Sequence, residues 1–259
     1  MDAQLKMRQL KRIMLETAYK TGEGHVPSGI SILDVLYVLY NSVLKIDPQN
    51  PDWEDRDYLL VSKGHAAIGI YTVLADRGFF PMEELDTFAK FHSRLGGHPD
   101  VNKVPGIEVS TGSLGHGLPI AVGMAMGTKY RNRGQRVFCI VGDGELNEGS
   151  MWEAITLAGQ HKLNNLVCVV DYNHSIDRSV KWGQLDKKIA EFGWDTVVVN
   201  GHDHAALKKA FAEPHAQPLA IIAHTIKGNG IRSIENNPAW HHRSPNHEEL
   251  EQLLKELEQ

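Results

Sequence analysis

Asp143 stands between two glycines directly after an apolar run, Val137 to Val141, and Asn173 follows a second such run, Leu166 to Val170, thirty residues later. A carboxylate, a carboxamide and a nearby backbone carbonyl make a hard, all-oxygen, underfilled donor set. Mg2+ or another divalent cation suits that set, with phosphate oxygens and water completing an octahedron. Gly142 and Gly144 let the backbone turn and approach a ligand closely, and the amides of a helix beginning near Glu148 can face an anion. The string Asp143-Gly144-Glu145-Leu146-Asn147 briefly imitates a calcium loop, but Glu148 and Ala154 stand where that loop needs Gly and Glu. The pair Asn164-Asn165 precedes its strand and belongs to the wrong end of a sheet.

Four histidines lie beside glycines in expected loops: His25 after Gly24, His65 after Ser62-Lys63-Gly64, His98 after Gly96-Gly97, and His116 within Thr111-Gly112-Ser113-Leu114-Gly115-His116-Gly117. Imidazoles can donate to phosphate or move protons on sugar hydroxyls near neutral pH. Other chemistries lack their residues. There is no His-Glu-x-x-His, no Cys-x-x-Cys, no dinucleotide or Walker glycine loop, and no Gly-x-Ser-x-Gly.

The elements that must position these residues alternate along the chain. Short apolar runs at 58–61, 137–141, 166–170, 196–199 and 219–223 are expected strands. Four of the five carry Val or Ile in blocks, which suits strands buried on both faces. Helices are expected at 3–20, from a cap at Ser31 to about Val43, and at 64–77, 114–131, 148–162, 185–192, 203–212 and 247–258, the last opened by Asn246 and Glu249 as a capping box. The order predicts an α/β fold: an open, mainly parallel sheet with helices on both faces, and ligands bound beyond the carboxyl ends of the strands. Residues 1–259 read as one domain with an irregular tail from 226.

The 259 residues are 42% hydrophobic and 23% charged, with net charge -5, so no basic field favours nucleic acid. No stretch of roughly 20 apolar residues suggests a membrane span, and Met1-Asp2-Ala3-Gln4-Leu5-Lys6 lacks the apolar run of a signal peptide. Cys139 and Cys168 lie inside apolar runs and are expected to be reduced core thiols, giving a cytoplasmic location by default.

Gly142-Asp143-Gly144 with Asn173 resembles the thiamine diphosphate motif, with Tyr172 in the first Asn place of its Asn-Asn end. Gly24-His25 with Pro27-Ser28-Gly29, Ser62 to His65, Gly97-His98-Pro99, Thr111 to Gly117, Gly142 to Gly149 with Met151-Trp152-Glu153-Ala154, and Trp240-His241 narrow the resemblance to the transketolase family, from about residue 8 to 246. The resemblance implies a pyrophosphate-type thiamine diphosphate-binding fold. It implies metal held by Asp143, Asn173 and the backbone oxygen of Ser175 or a neighbour, the loop Asn173 to Asp177 being one residue short of the family's. It implies cofactor contacts from His65, Gly112, Ser113, Leu114, Gly142, Gly144, Glu145, Glu148 and Asn173, Glu148 in a carboxylate pair across a subunit interface. His25, His98 and His241 would face the sugar. His116 replaces the commoner Gln.

A full transketolase has three domains, and the resemblance covers the first. It therefore implies a split enzyme whose C-terminal subunit carries the pyrimidine-binding domain, assembled as a dimer of heterodimers that moves a two-carbon ketol unit between sugar phosphates. Two alternatives remain at this point: another thiamine enzyme, of the 2-oxo acid dehydrogenase or deoxyxylulose phosphate synthase type, and a non-catalytic domain that kept the fold.

Overall fold

A computed structural model describes residues 3–258. Five strands, β1 (Tyr58–Val61), β2 (Val137–Gly142), β3 (Leu166–Tyr172), β4 (Asp195–Asn200) and β5 (Leu219–His224), form one sheet in the order β1-β2-β3-β5-β4. Every pairing is parallel. The apolar blocks read from the sequence are these strands, lengthened at their carboxyl ends by Gly142, by Asp171-Tyr172 and by His224.

Among the described residues, eight α-helices accompany the sheet: α1 (Ala3–Thr21), α2 (Val26–Val38), α3 (Ala67–Asp76), α4 (Gly117–Tyr130), α5 (Gly149–Gln160), α6 (Leu185–Ala190), α7 (His204–Ala212) and α8 (His247–Leu257). Side chains alternate across the sheet and build two separate cores. Phe138, Ile140, Val167, Val169 and Ile221 pack with α1, α2, α3, α7 and α8, while Val137, Cys139, Val141, Cys168 and Ile222 pack with α4, α5 and α6. Strands buried on both faces need no polar alternation, so the sequence shows continuous Val/Ile runs. Cys139 and Cys168 sit opposite one another on neighbouring strands, buried and unbridged.

Ser31 does not cap the second helix. That helix starts at Val26 with Pro27 in its first turn, where the fixed proline φ suits a helix and no amide hydrogen is missed. It continues through a π-helical turn, Leu39–Val43. Gly29 lets α2 cross α3 closely: a Cβ there would stand 3.0 Å from the Gly69 amide nitrogen. The segment Val26–Val43 has mean hydropathy 1.3 over 18 residues, long and apolar enough to cross a membrane by length and composition, contrary to the sequence expectation. It is 78% buried within the domain, as a core helix must be.

Two other helices begin later than expected. The stretch from Gly64 opens as a 3-10 turn, Gly64–Ala66, and Leu114 to His116 remain loop ahead of α4. The capping box of α8 forms, Asn246 Oδ1 accepting from the Glu249 amide at 2.9 Å and Glu249 Oε2 from the Asn246 amide at 2.9 Å. Asn165 lies at the amino end of β3, donating to Ala125 O at 3.0 Å, far from the carboxyl-end crevice.

Candidate thiamine diphosphate and metal site

Register alone brings the first two candidates together. Gly142 pairs with Asp171, so Asp143 leaves β2 beside the end of β3, where Asn173 follows. Asp143 is 3% exposed, and its Oδ2 is buried without a hydrogen-bond partner. Burial, reinforced by the Asp171 charge, raises its carboxyl to about 6. Asn173 is also buried; its Nδ2 donates to Ser31 Oγ at 3.1 Å and to Asp171 Oδ2 at 3.0 Å, which turns its Oδ1 toward the loop. That oxygen accepts from the Ser175 amide at 3.1 Å and from the Ser175 hydroxyl. An orphaned buried carboxylate oxygen beside a carboxamide oxygen fits a hard divalent cation. The chain turns out of β2 at once into a 3-10 helix, Asp143–Asn147, and does so without a positive φ at Gly142 or Gly144. A Cβ on Gly144 would meet nothing within 4 Å, which leaves its backbone open to a ligand.

Beneath this pair lies a buried polar hub of strand-end residues to which the sequence reading gave no role. Asp171, 1% exposed, accepts from Ser31 Oγ at 2.7 Å, from Thr225 Oγ1 and from Lys63 Nζ. Lys63, 3% exposed, also reaches Ser28 O at 3.3 Å. This buried ion pair ties α2, the ends of β1 and β3, and the segment after β5 into one frame. The available sequence signal was a carboxylate ending an otherwise apolar strand, which demands a cationic or hydrogen-bonding partner.

Glu145, expected to contact cofactor, turns its carboxylate inward. It accepts from the Gly115 amide at 2.9 Å, the Gly142 amide at 2.8 Å and the Ser62 hydroxyl. It thereby pins the Thr111–Gly117 loop to the β2 turn. Glu148 is exposed at the start of α5. Gly112, Ser113 and Leu114 are exposed as well, Ser113 Oγ standing 3.2 Å from His116 Nδ1. Gly115 has φ +78, and a Cβ there would stand 2.5 Å from Glu148 Cβ.

The histidines converge. The ring of His25 lies 5.3 Å from that of His65 and 5.3 Å from that of His241, and His65 and His241 are 6.0 Å apart. Burial first, then neighbouring positive groups, lowers His25 to about 4 and His65 to about 2. His98 is exposed and leans on the cofactor loop, its Cδ2 3.3 Å from where a Gly112 Cβ would be. Sequence reasoning missed two neighbours. His242 stacks on His25 at 4.1 Å and bonds Glu23. Lys227 donates to His241 Nδ1 at 2.8 Å; burial, then the Lys63 charge, lowers its amine to about 8. Asn173, Ser175, Thr225, Lys227 and His241 line a cavity of about 580 Å3 beyond the strand ends.

Residues 3–258 match the transketolase, thiamine diphosphate-binding domain family. An apulose-4-phosphate transketolase subunit from Actinobacillus succinogenes is 38% identical over 254 residues, covering 95% of this chain and 92% of that protein. The 6-deoxy-6-sulfo-D-fructose transketolase subunit of a Clostridium species is 36% identical, covering 99% and 96%. Mouse transketolase is 41% identical, but the chain spans only 41% of its length. Among solved structures, the Leishmania mexicana transketolase superposes with a TM-score of 0.90 at 28% identity, covering all of this chain and 42% of that one. With the motifs, the parallel sheet and the crevice in agreement with these matches, the chain belongs to the transketolase family through its thiamine diphosphate-binding domain.

Proposed function

We propose that this chain is the cofactor-holding subunit of a two-chain transketolase, transferring a two-carbon ketol unit from a ketose phosphate to an aldose phosphate. The observation that carries the reading is the joint placement of three imidazoles, His25, His65 and His241, at the carboxyl-end crevice that also holds the orphaned Asp143 oxygen.

Asp143 and Asn173 would hold Mg2+ or another divalent cation, with a backbone oxygen at or near Ser175. His65 and Lys227 would contact the diphosphate, with Lys63 holding Asp171 beneath them. Thiamine diphosphate, when bound, supplies the nucleophilic carbon and the electron sink. The chain supplies position and protons. His25, lowered to about 4, is neutral at pH 7, so it exchanges a proton at a sugar hydroxyl as a base or hydrogen-bond partner. His241 accepts from Lys227 through Nδ1, which leaves Nε2–H as its donor toward a substrate oxygen. His98 closes the outer side against Gly112.

The site is open where a partner would complete it. Gly112, Ser113, Leu114 and Glu148 are exposed, and beyond them Ile120, Gly123, Gly127 and Tyr130 form an exposed stripe along α4. The Actinobacillus and Clostridium transketolase subunits are matched over more than 90% of their length, which supports a separate C-terminal subunit with the pyrimidine-binding domain; the pair would assemble as a dimer of heterodimers. A cytoplasmic setting suits the two free thiols. The test is reconstitution. The chain alone should show no ketol transfer, and adding the partner should restore it. The donor screen should include pentose phosphates, apulose 4-phosphate and 6-deoxy-6-sulfofructose. Substantial turnover by the pure chain alone would sink the split-enzyme reading.

A further inference from the structure

A second cavity of about 660 Å3 lies between α1, the start of α7 and the turn at Asn229-Gly230. Its volume is that of small-molecule sites, roughly 300–1,000 Å3. Arg8, Lys11, Asp34, His202, His204 and Glu256 are among its walls.

The carboxylates on those walls are engaged. Asp34 meets His202 Nδ1 at 2.8 Å and His204 Nε2 at 2.7 Å. Asp203 caps α7, accepting from the Ala205 amide at 2.9 Å and the Ala206 amide at 3.0 Å. Glu256 accepts from the Ser233 amide at 2.8 Å, from the Ser233 hydroxyl and from Gln252 at 3.0 Å. The cations are not engaged in this way. Lys11 is only 7% exposed, and neither its ammonium nor the Arg8 guanidinium has a hydrogen-bond or ion-pair partner among the described residues. Lys11 Nζ lies 3.1 Å from where a Gly230 Cβ would stand, at the wall of the cavity.

An ammonium on a mostly buried side chain, facing the cavity without a contacting partner, favours an entering anion that supplies charged hydrogen bonds. We propose that this cavity binds a small organic anion bearing a phosphate or carboxylate group, gripped by Lys11 and Arg8. Burial also depresses the Lys11 amine, and the more distant Asp34 and Glu235 charges offset this only in part. His202 connects the site to the crevice: its Nε2 accepts from the Ile226 amide at 2.9 Å, one residue before Lys227.

Amide NMR of the full chain, titrated separately with inorganic phosphate and with malonate, tests the proposal. Asn229, Gly230 and His204 signals should shift saturably with at least one anion, and which anion works identifies the group recognised. Lys11→Met should weaken that response about tenfold or more, as loss of one charged hydrogen bond implies. Shifts at Gly142 and Gly144, from anions drawn to the cofactor crevice, should persist in the variant. Should Lys11→Met fail to fold, Arg8→Gln serves, with about a threefold weakening expected for a more exposed contact. No saturable shift at Asn229, Gly230 and His204 with either anion overturns the proposal, as does an unchanged response in the folded variants.

Discussion

Asp143→Asn should make the cofactor-free chain more stable while removing its function. The folded Asp143 carboxyl sits at about 6 against an ordinary 3.8. A gap of about two units, at about 1.4 kcal/mol each, corresponds to about 3 kcal/mol of differential stability. The sign follows from which form the fold disfavours. Burial penalises the ionised carboxylate, so the folded state holds its proton more tightly than the unfolded chain. Stability therefore falls as pH rises from about 4 to about 6, and the loss is complete above that window. Asn keeps the shape and carries no charge, and the neighbouring Asp171 charge no longer repels it. Urea unfolding in EDTA at pH 4.5, 6 and 8 measures the effect. The variant should exceed the native chain by up to about 3 kcal/mol at pH 8, with the gap shrinking toward pH 4.5. Mg2+ with diphosphate should stabilise the native chain and leave the variant unmoved. A gap under about 1 kcal/mol at pH 8, or one indifferent to pH, refutes the account of Asp143 as a carboxylate strained by burial.

Three further outcomes follow from the same geometry. Lys63→Met strands the Asp171 carboxylate among Ser31, Thr225 and Asn173 and should cost about 3–5 kcal/mol in urea unfolding at neutral pH; a loss below about 1 kcal/mol would show that the hub does not depend on that pair. Gly115→Ala places a Cβ 2.5 Å from Glu148 Cβ at a positive φ, so the loop must move; at least about 1 kcal/mol of stability and much of the cofactor affinity of the assembled enzyme should go, measured by unfolding and by calorimetry. His25 and His65 should remain neutral down to about pH 5 in histidine nitrogen NMR, because burial holds them near 4 and 2; the stability their neutral state gives is complete above the unfolded value near 6.5 and is lost as pH falls below it. A titration midpoint at 6.5 for either ring contradicts this.

The strands were legible because burial on both faces leaves a continuous apolar signature, and the polar residues just after them follow from sheet topology. Asp143, Asn173 and His65 could be named for that reason, whereas His25 was named for the glycine beside it and His241 only through the family resemblance. Ser31 was misread because a serine before an apolar run looks like a cap. Only the tertiary structure shows Pro27 starting the helix and the Ser31 hydroxyl turned to Asp171, 140 residues away. Glu145 was expected to contact cofactor, and the three donors its carboxylate meets, from Ser62, Gly115 and Gly142, were not foreseen because they come from segments far apart in sequence. Lys227 and His242 lie in an irregular tail without periodicity, so nothing local marks which side chains fold back over the crevice.

The stripe on α4 begins immediately after the loop that carries Gly112 to His116. If the partner covers both, closure over the cofactor and association of the chains are a single event. Escape of the cofactor then waits on separation of the two chains, so washing a concentrated sample should strip little while simple dilution inactivates it. The specific activity of such an enzyme depends on how much of it is present, and the cell can adjust it through the supply of either chain.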